Sequence, residues 1–197
     1  MRKKSLLSMA AAVGMIALIG VGATFAYFSD TTEQLTNTFT LGKVEIELAE
    51  PNWKGDKVDI VPGQSFDKDP TVTVAANSVN SYVFMNVDGL DEMPTYFSID
   101  GISSEWKKVD ENETLDLDGV YVYVGETGTE AKIVEKSEEV TKLPPLFTKV
   151  SYAAEATEGS TTSFQIKVKA AAVQAEGGEG YSVDTAFEAI KDGIAIK

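Results

Sequence analysis

The chain has 197 residues with no cysteine or histidine, and 31 acidic against 17 basic residues give it a formal net charge of −14 at pH 7. Without cysteine no disulfide bond stabilises the fold, so the fold has to rest on its hydrophobic core. Without histidine the commonest metal ligand and the commonest general base near neutral pH are both missing. The acidity argues against binding to nucleic acid or to an anionic membrane surface, because both would repel the chain.

Residues 1–26 have the pattern of a secretory signal peptide. Three basic residues follow the initial methionine, a long uncharged run comes next, and the small residues Thr24 and Ala26 stand at positions −3 and −1 of a cut before Tyr27. The run is also long enough to span a bilayer, so an uncleaved anchor is the alternative, but the small residues at its far end favour cleavage. Cleavage removes three basic residues and no acidic residue, which leaves a net charge of −17.

Residues 43–197 are predicted to form one all-β domain. Five stretches alternate apolar and polar side chains with the period of a half-buried strand: residues 44–48, 70–76, 81–87, 119–125 and 163–173. Turn-forming residues separate them, among them Pro62-Gly63, Asp88-Gly89, Asp118-Gly119 and Gly125. Short strands with such turns predict an antiparallel β-sandwich whose topology is a jelly roll or another Greek key.

Two stretches depart from this alternation. The charge-rich residues 125–147 are predicted to form a solvated excursion with a short hairpin, outside the core. Residues 182–192 are predicted to form a short amphipathic helix that covers one end of the sandwich, with Ser182 as N-cap and Gly193 as the stop. Its apolar stripe consists of Val183, Ala186, Phe187 and Ile190.

No catalytic or cofactor-binding motif is present in the sequence. Serines have no histidine to pair with, and neither a Walker loop nor a nucleophile elbow occurs. Carboxylates cluster at residues 86–92 and 110–119, but neither cluster has the spacing of a calcium-binding loop, so solvated turns are favoured over a metal site. We therefore predict no catalytic residue, no metal and no cofactor.

Two tryptophans, Trp53 and Trp106, lie beside lysines in the sequence. Such residues can serve as exposed platforms for a ligand, but scattered aromatic residues more often pack in the core or at the rim of a sandwich. Packing at the core or rim is the favoured interpretation.

Three stretches of the chain are distinctive: GVGATFAYFSDTTEQLTNTFTLGKVEIEL, VPGQSFDKDPTVTVAANSVNSYVFMNV and FQIKVKAAAVQAEG. Together they resemble the TasA/camelysin family of secreted proteins of Gram-positive bacteria. The family element N-x-F-x-x-G-x-(V/L)-x-(I/L) matches Asn37 to Ile46, and the PG…KDPTV element matches Pro62 to Val72. The resemblance implies cleavage by a SipW-type signal peptidase directly before Tyr27, in agreement with the cut read from the residues.

The resemblance further implies a jelly-roll subunit that is exported to the cell surface and polymerises with itself into fibres of the biofilm matrix. In such fibres the N-terminal segment, here residues 27–42, acts as a donor strand in the next subunit. Phe28, Leu35 and Phe39 are spaced along this Thr-rich segment and are the candidate assembly residues. Whether fibres form from this chain alone or need a minor nucleating fibre protein stays open.

Two other functions remain as alternatives. The family also carries the description of a secreted metallo-endopeptidase, but without histidine no zinc site carries over to this chain. The third possibility is a monomeric surface binding module or adhesin, with Trp53, Trp106 and the neighbouring lysines as its candidate surface.

Overall fold

Ten β-strands and one α-helix form the part of the chain that the computed structural model describes, residues 43–53, 61–109, 116–126, 128–155, 164–176 and 182–196. All of these residues belong to one compact unit, Leu41–Lys197. In this part of the chain no helix combines the length and the hydrophobicity needed to cross a membrane.

The strands are short, apart from two of eight residues. They are β1 Ile46–Ala49, β2 Ser65–Asp67, β3 Thr71–Val74, β4 Ser81–Asp88, β5 Phe97–Ile99, β6 Trp106–Lys108, β7 Gly119–Tyr123, β8 Thr141–Lys142, β9 Lys149–Tyr152 and β10 Lys167–Gln174. The helix, α1, spans Val183–Ile194.

All registered strand pairs are antiparallel, in sheets of order β10-β4-β7-β6, β1-β3-β8 and β2-β9-β5. The last two sheets continue one another, because β2 runs into β3 and β8 runs into β9. Backbone hydrogen bonds from Lys68 to Thr148, from Leu146 to Pro70 and from Leu143 to Val72 connect them. The predicted all-β sandwich of antiparallel strands with a C-terminal helix is confirmed.

The alternation of β4 places its two faces in two separate clusters of buried side chains. Val83, Met85 and Val87 point into the main core between the sheets and are at most 1% exposed. The prediction of a half-buried strand is wrong for the other face, because Phe84 is fully buried there in a second cluster beneath α1. The helix therefore covers the outer face of β4 and β10 and not one end of the sandwich.

The helix begins where the sequence predicts it to begin. Ser182 has extended backbone angles, and its hydroxyl accepts a hydrogen bond from the backbone N–H of Thr185 at 3.4 Å. The prediction that Gly193 stops the helix is wrong, because α1 continues to Ile194. Glycine costs about 1 kcal/mol inside a helix, but Ile194 is 1% exposed and its carbonyl accepts a hydrogen bond from Asn86, so packing outweighs that cost.

The prediction that residues 125–147 lie outside the core is also wrong. Val134, Leu143, Leu146 and Phe147 are at most 6% exposed and belong to the main cluster of buried side chains. Val134 forms a β-bridge with Ser81. The four apolar residues are spaced among lysines and glutamates, so the charged composition of the segment concealed their burial.

Candidate functional site

The sequence-predicted site residues lie before residue 43, outside the residues that the structure describes. They are the cleavage residues Thr24, Ala26 and Tyr27 and the assembly residues Phe28, Leu35 and Phe39. Their roles stay predictions, and the structure bears on the surfaces that would interact with them.

The carboxylates of the acidic turns accept backbone hydrogen bonds. Asp118 accepts from the N–H groups of Gly89 and Leu90 at 3.0 and 2.7 Å, and Asp91 accepts from those of Leu117 and Asp118 at 2.7 and 2.9 Å. The loop that follows β4 and the segment that precedes β7 are thus joined by reciprocal hydrogen bonds from backbone N–H groups to aspartate side chains. Among the described residues no group of three or more His, Cys, Asp or Glu side chains is arranged to hold a metal ion.

Tyr121 packs beside these two loops. Its hydroxyl donates a hydrogen bond of 2.7 Å to the carbonyl of Leu117. Burial, followed by the negative charges of Asp91 and Asp118, raises the pKa of Tyr121 to about 12. The phenol is therefore neutral at physiological pH and acts as a donor that fixes the loop.

Asp100 connects the end of β5 to the start of β9. Its carboxylate accepts hydrogen bonds from the backbone N–H groups of Thr148 and Lys149 at 3.0 and 3.1 Å, and from the Thr148 hydroxyl. Burial opposes ionisation and would raise the pKa of Asp100, but the hydrogen bonds from Thr148 and Lys149 together outweigh burial. The pKa of Asp100 therefore lies below its ordinary value of 3.8.

Asp100→Ala is expected to lower the free energy of unfolding at pH 7 by about 1 kcal/mol, because the carboxylate is exposed and screened. A depressed pKa means that the carboxylate stabilises the fold above about pH 4 and that this contribution is lost as the pH falls through the folded-state pKa. Urea unfolding should show a larger difference from the unaltered chain at pH 7 than at about pH 2. Glu92→Ala, at an exposed turn residue, is the control, and an equal loss at both pH values for Asp100→Ala would contradict the prediction.

Neither tryptophan is a free platform for a ligand. Trp106 is 4% exposed in the main core, and its indole N–H donates a hydrogen bond of 3.0 Å to the carbonyl of Pro144. Trp53 is half-buried, with the ammonium of Lys68 lying 5.1 Å from its ring centroid. Lys68 also pairs with Glu50 at 2.7 Å. Packing at the core and rim, the favoured interpretation, is the observed one.

A candidate surface for binding a peptide chain is β10, the longest strand that ends a sheet among the described residues. Its registered partner is β4, the next strand of the same four-stranded sheet. The end strand of a sheet can present backbone N–H and C=O groups to another strand. The sequence predicts β10 as a strand, but nothing in the sequence marks it as an edge.

The space between β10 and β1, which belong to different sheets, is lined by side chains of both strands. β1 lies against β10. The side chains that are half-buried against the main core are Ile46 and Leu48 of β1 and Val168, Ala170 and Ala172 of β10. On the outer face, Lys169 donates to the carbonyl of Ala195 at 3.4 Å, just after α1. The helix thus contacts the outer face of β10.

A family model described as camelysin metallo-endopeptidase matches residues 1–86 of the chain. No curated protein and no solved structure matches the chain at a significant level. The metal implied by the family's description does not fit the residues present, because a zinc hydrolase takes His, Cys and carboxylate ligands and this chain has no His or Cys. The described part of the chain adds no carboxylate cluster in their place. The sequence elements around Asn37 and Pro62 lie within the matched region, so the first 86 residues of the chain are similar to the camelysin family.

Proposed function

We propose that this chain is a secreted structural subunit of extracellular fibres of the cell surface or biofilm matrix. In this proposal a signal peptidase of the SipW type cuts before Tyr27, and residues 27–42 then insert as a strand into the sheet of the next copy. A head-to-tail contact of this kind does not close on itself and therefore produces a filament.

The observation that carries the proposal is the position of β10, a strand of eight residues, at the end of its four-stranded sheet in the described part of the chain. A long edge of this kind is a liability in a protein that stays monomeric, because it pairs readily with another chain. Strand addition turns that liability into a specific contact, in which backbone hydrogen bonds supply affinity and side-chain pockets supply specificity. The similarity of residues 1–86 to the camelysin family model and the all-β sandwich are consistent with this role.

The sequence of the N-terminal segment suits the donor role. Residues 35–41 read LTNTFTL, so Leu35, Phe39 and Leu41 share one face and threonines occupy the other. Threonine and phenylalanine favour strands, and a period of two is the pattern of a strand with one buried face. Before cleavage the same segment adjoins the apolar leader, so cleavage would release it for assembly.

Negative-stain electron microscopy of the chain that begins at Tyr27, beside the chain that begins at Gly42, tests this function. Filaments are expected from the first and folded monomers from the second, because the second lacks the donor segment and retains the sandwich. Circular dichroism checks that both chains fold.

Point variants in the longer chain separate the donor role from a general effect of truncation. Leu35→Asp with Phe39→Asp places charge on the apolar face and should abolish filaments, whereas Thr36→Asp with Thr38→Asp adds the same charge to the other face and should preserve them. Filaments from the chain that begins at Gly42, or equal loss in both double variants, would overturn the donor-strand proposal.

A further inference from the structure

We propose that the groove between the start of β10 and the C-terminal end of α1 binds a short acidic peptide segment of a partner protein. The groove has a volume of about 540 Å³, within the range of about 300–1,000 Å³ that is usual for ligand pockets. Lys167 and Lys169 line its β10 side, and Asp192, Gly193 and Ile196 line its helix side. The inference is independent of the fibre function, because the groove contains no residue of the segment 27–42.

Two lysines give the groove a positively charged wall in a strongly acidic chain. Lys167 and Lys169 are exposed and two positions apart on β10, so their side chains leave the same face of the sheet with Cα atoms about 7 Å apart. The ammonium of Lys167 lies 3.5 Å from Asp88. That of Lys169 lies 3.4 Å from the carbonyl oxygen of Ala195.

These two contacts leave the lysines able to bind a further anion. Both distances are long beside the usual distance of about 2.7–2.9 Å for a charge-assisted hydrogen bond. An ammonium group also has three N–H donors, and each of these contacts uses one of them. A carboxylate that enters the groove can therefore accept hydrogen bonds from Lys167 and Lys169 without displacing α1.

Gly193 has no structural reason to be glycine among the described residues. It lies within α1, where glycine is less favourable than alanine because the unfolded chain loses more freedom. A Cβ atom at this position would meet no heavy atom of the described residues within 4 Å, so crowding does not require glycine either. Glycine allows a ligand to approach the backbone closely, and Gly193 lines the groove. We therefore assign it the role of leaving the end of the helix accessible.

The end of the helix favours a ligand that carries N–H groups. The last four carbonyl groups of a helix have no partner within the helix and form the negative end of its dipole. In α1 the carbonyl of Ile194 accepts a hydrogen bond of 3.1 Å from Asn86. Asp192 and Gly193 belong to the same last turn and line the groove. A peptide supplies N–H donors for such carbonyls and carboxylates for the lysines, whereas a simple anion supplies only the latter.

Charge favours a partner protein over a second copy of this chain. Two copies would each carry a formal net charge of −14 and would repel one another over their whole surfaces. A partner with little net charge and one acidic segment meets the two lysines without that repulsion.

Fluorescence anisotropy of a labelled peptide tests the inference on the chain that begins at Tyr27, which contains every described residue. The probe is the capped peptide Gly-Asp-Glu-Asp-Gly, and its uncharged counterpart is Gly-Asn-Gln-Asn-Gly. Because two exposed charge pairs are gained, the acidic peptide should bind about tenfold more tightly than the counterpart. Its affinity should fall as salt is raised from about 0.01 M to about 1 M.

Matched variants locate the binding site. Lys167→Gln with Lys169→Gln should weaken binding about tenfold. Lys142→Gln with Lys149→Gln, at exposed positions of β8 and β9, removes the same charge and should leave the affinity unchanged. Gly193→Leu should weaken binding severalfold without lowering the melting temperature, because leucine is a better helix former. Circular dichroism checks that each variant folds.

Four outcomes would overturn the inference. Equal affinity for the two peptides, absence of binding, or equal loss in the two lysine variants would each remove the groove as an acidic-peptide site. An apparent peptide affinity that falls as unlabelled chain is added would assign the groove to a second copy and overturn the partner protein. Each of these outcomes leaves the fibre function in place, because microscopy of filaments tests that function separately.

Discussion

Replacing Phe84 with alanine is expected to lower the free energy of unfolding by about 4 kcal/mol, a typical loss for a fully buried phenylalanine. Phe84 is 0% exposed, and its ring centroid lies 5.8 Å from that of Phe187 on α1. Its register partners are Ala171 on β10 and Val122 on β7, so removal of the ring leaves a cavity between the sheet and the helix. Urea unfolding of the two chains measures the loss.

The cavity would also loosen the contact that holds β10 against the helix. Fewer filaments are therefore expected from Phe84→Ala at temperatures where most of the protein is still folded. Phe84→Leu is the control, because it keeps most of the volume and should cost about 1 kcal/mol. An alanine variant as stable as the leucine variant would show that the second cluster carries little of the stability.

Gly89→Ala is expected to lower the free energy of unfolding by about 3–5 kcal/mol, which combines backbone strain with steric overlap. The φ angle of Gly89 is +95°, and a Cβ atom there would lie 2.0 Å from the carbonyl oxygen of Gln165. That oxygen belongs to the backbone just before β10, so relief requires a shift of β4 or β10. The variant should therefore weaken the fold and displace the start of β10.

Gly101→Ala separates the cost of backbone strain from the cost of steric overlap. Gly101 has a φ angle of +105°, but a Cβ atom there would meet nothing within 4 Å, so only backbone strain of about 1–2 kcal/mol is expected. Thermal or urea unfolding of both variants gives the comparison. Equal losses at the two glycines would mean that the overlap with Gln165 is relieved at no cost.

The strands that sequence analysis found lie in stretches with a visible alternation of apolar and polar side chains. β4 and β10, with eight residues each, and β7, with five, show it within the strand, and β1 and β3, with four residues each, lie within the alternating stretches 44–48 and 70–76. β2, β5, β6, β8 and β9 have two to four residues and lie outside the alternating stretches, so the sequence did not predict them. They form because neighbouring strands present backbone groups for them to pair with.

Buried residues in the charge-rich stretch show a second reason why sequence analysis is incomplete. Leu146 and Phe147 follow two prolines and precede β9, and they are at most 1% exposed. Neither hydrophobic periodicity nor composition marks them as core, because their burial depends on the backbone hydrogen bond from Leu146 to Pro70. A contact between residues so distant in sequence has no local signal.

The candidate site likewise has some features that the sequence predicts and others that only the tertiary structure determines. The pattern of residues 35–41 predicts a strand with one apolar face, and Ser182 predicts the start of the helix, because alternation and capping are local properties of a chain. The edge position of β10, the burial of both faces of β4 and the burial of Trp106 were decided by the tertiary structure alone. Each of these depends on which distant segments lie alongside, and that is set by the packing of the whole sandwich.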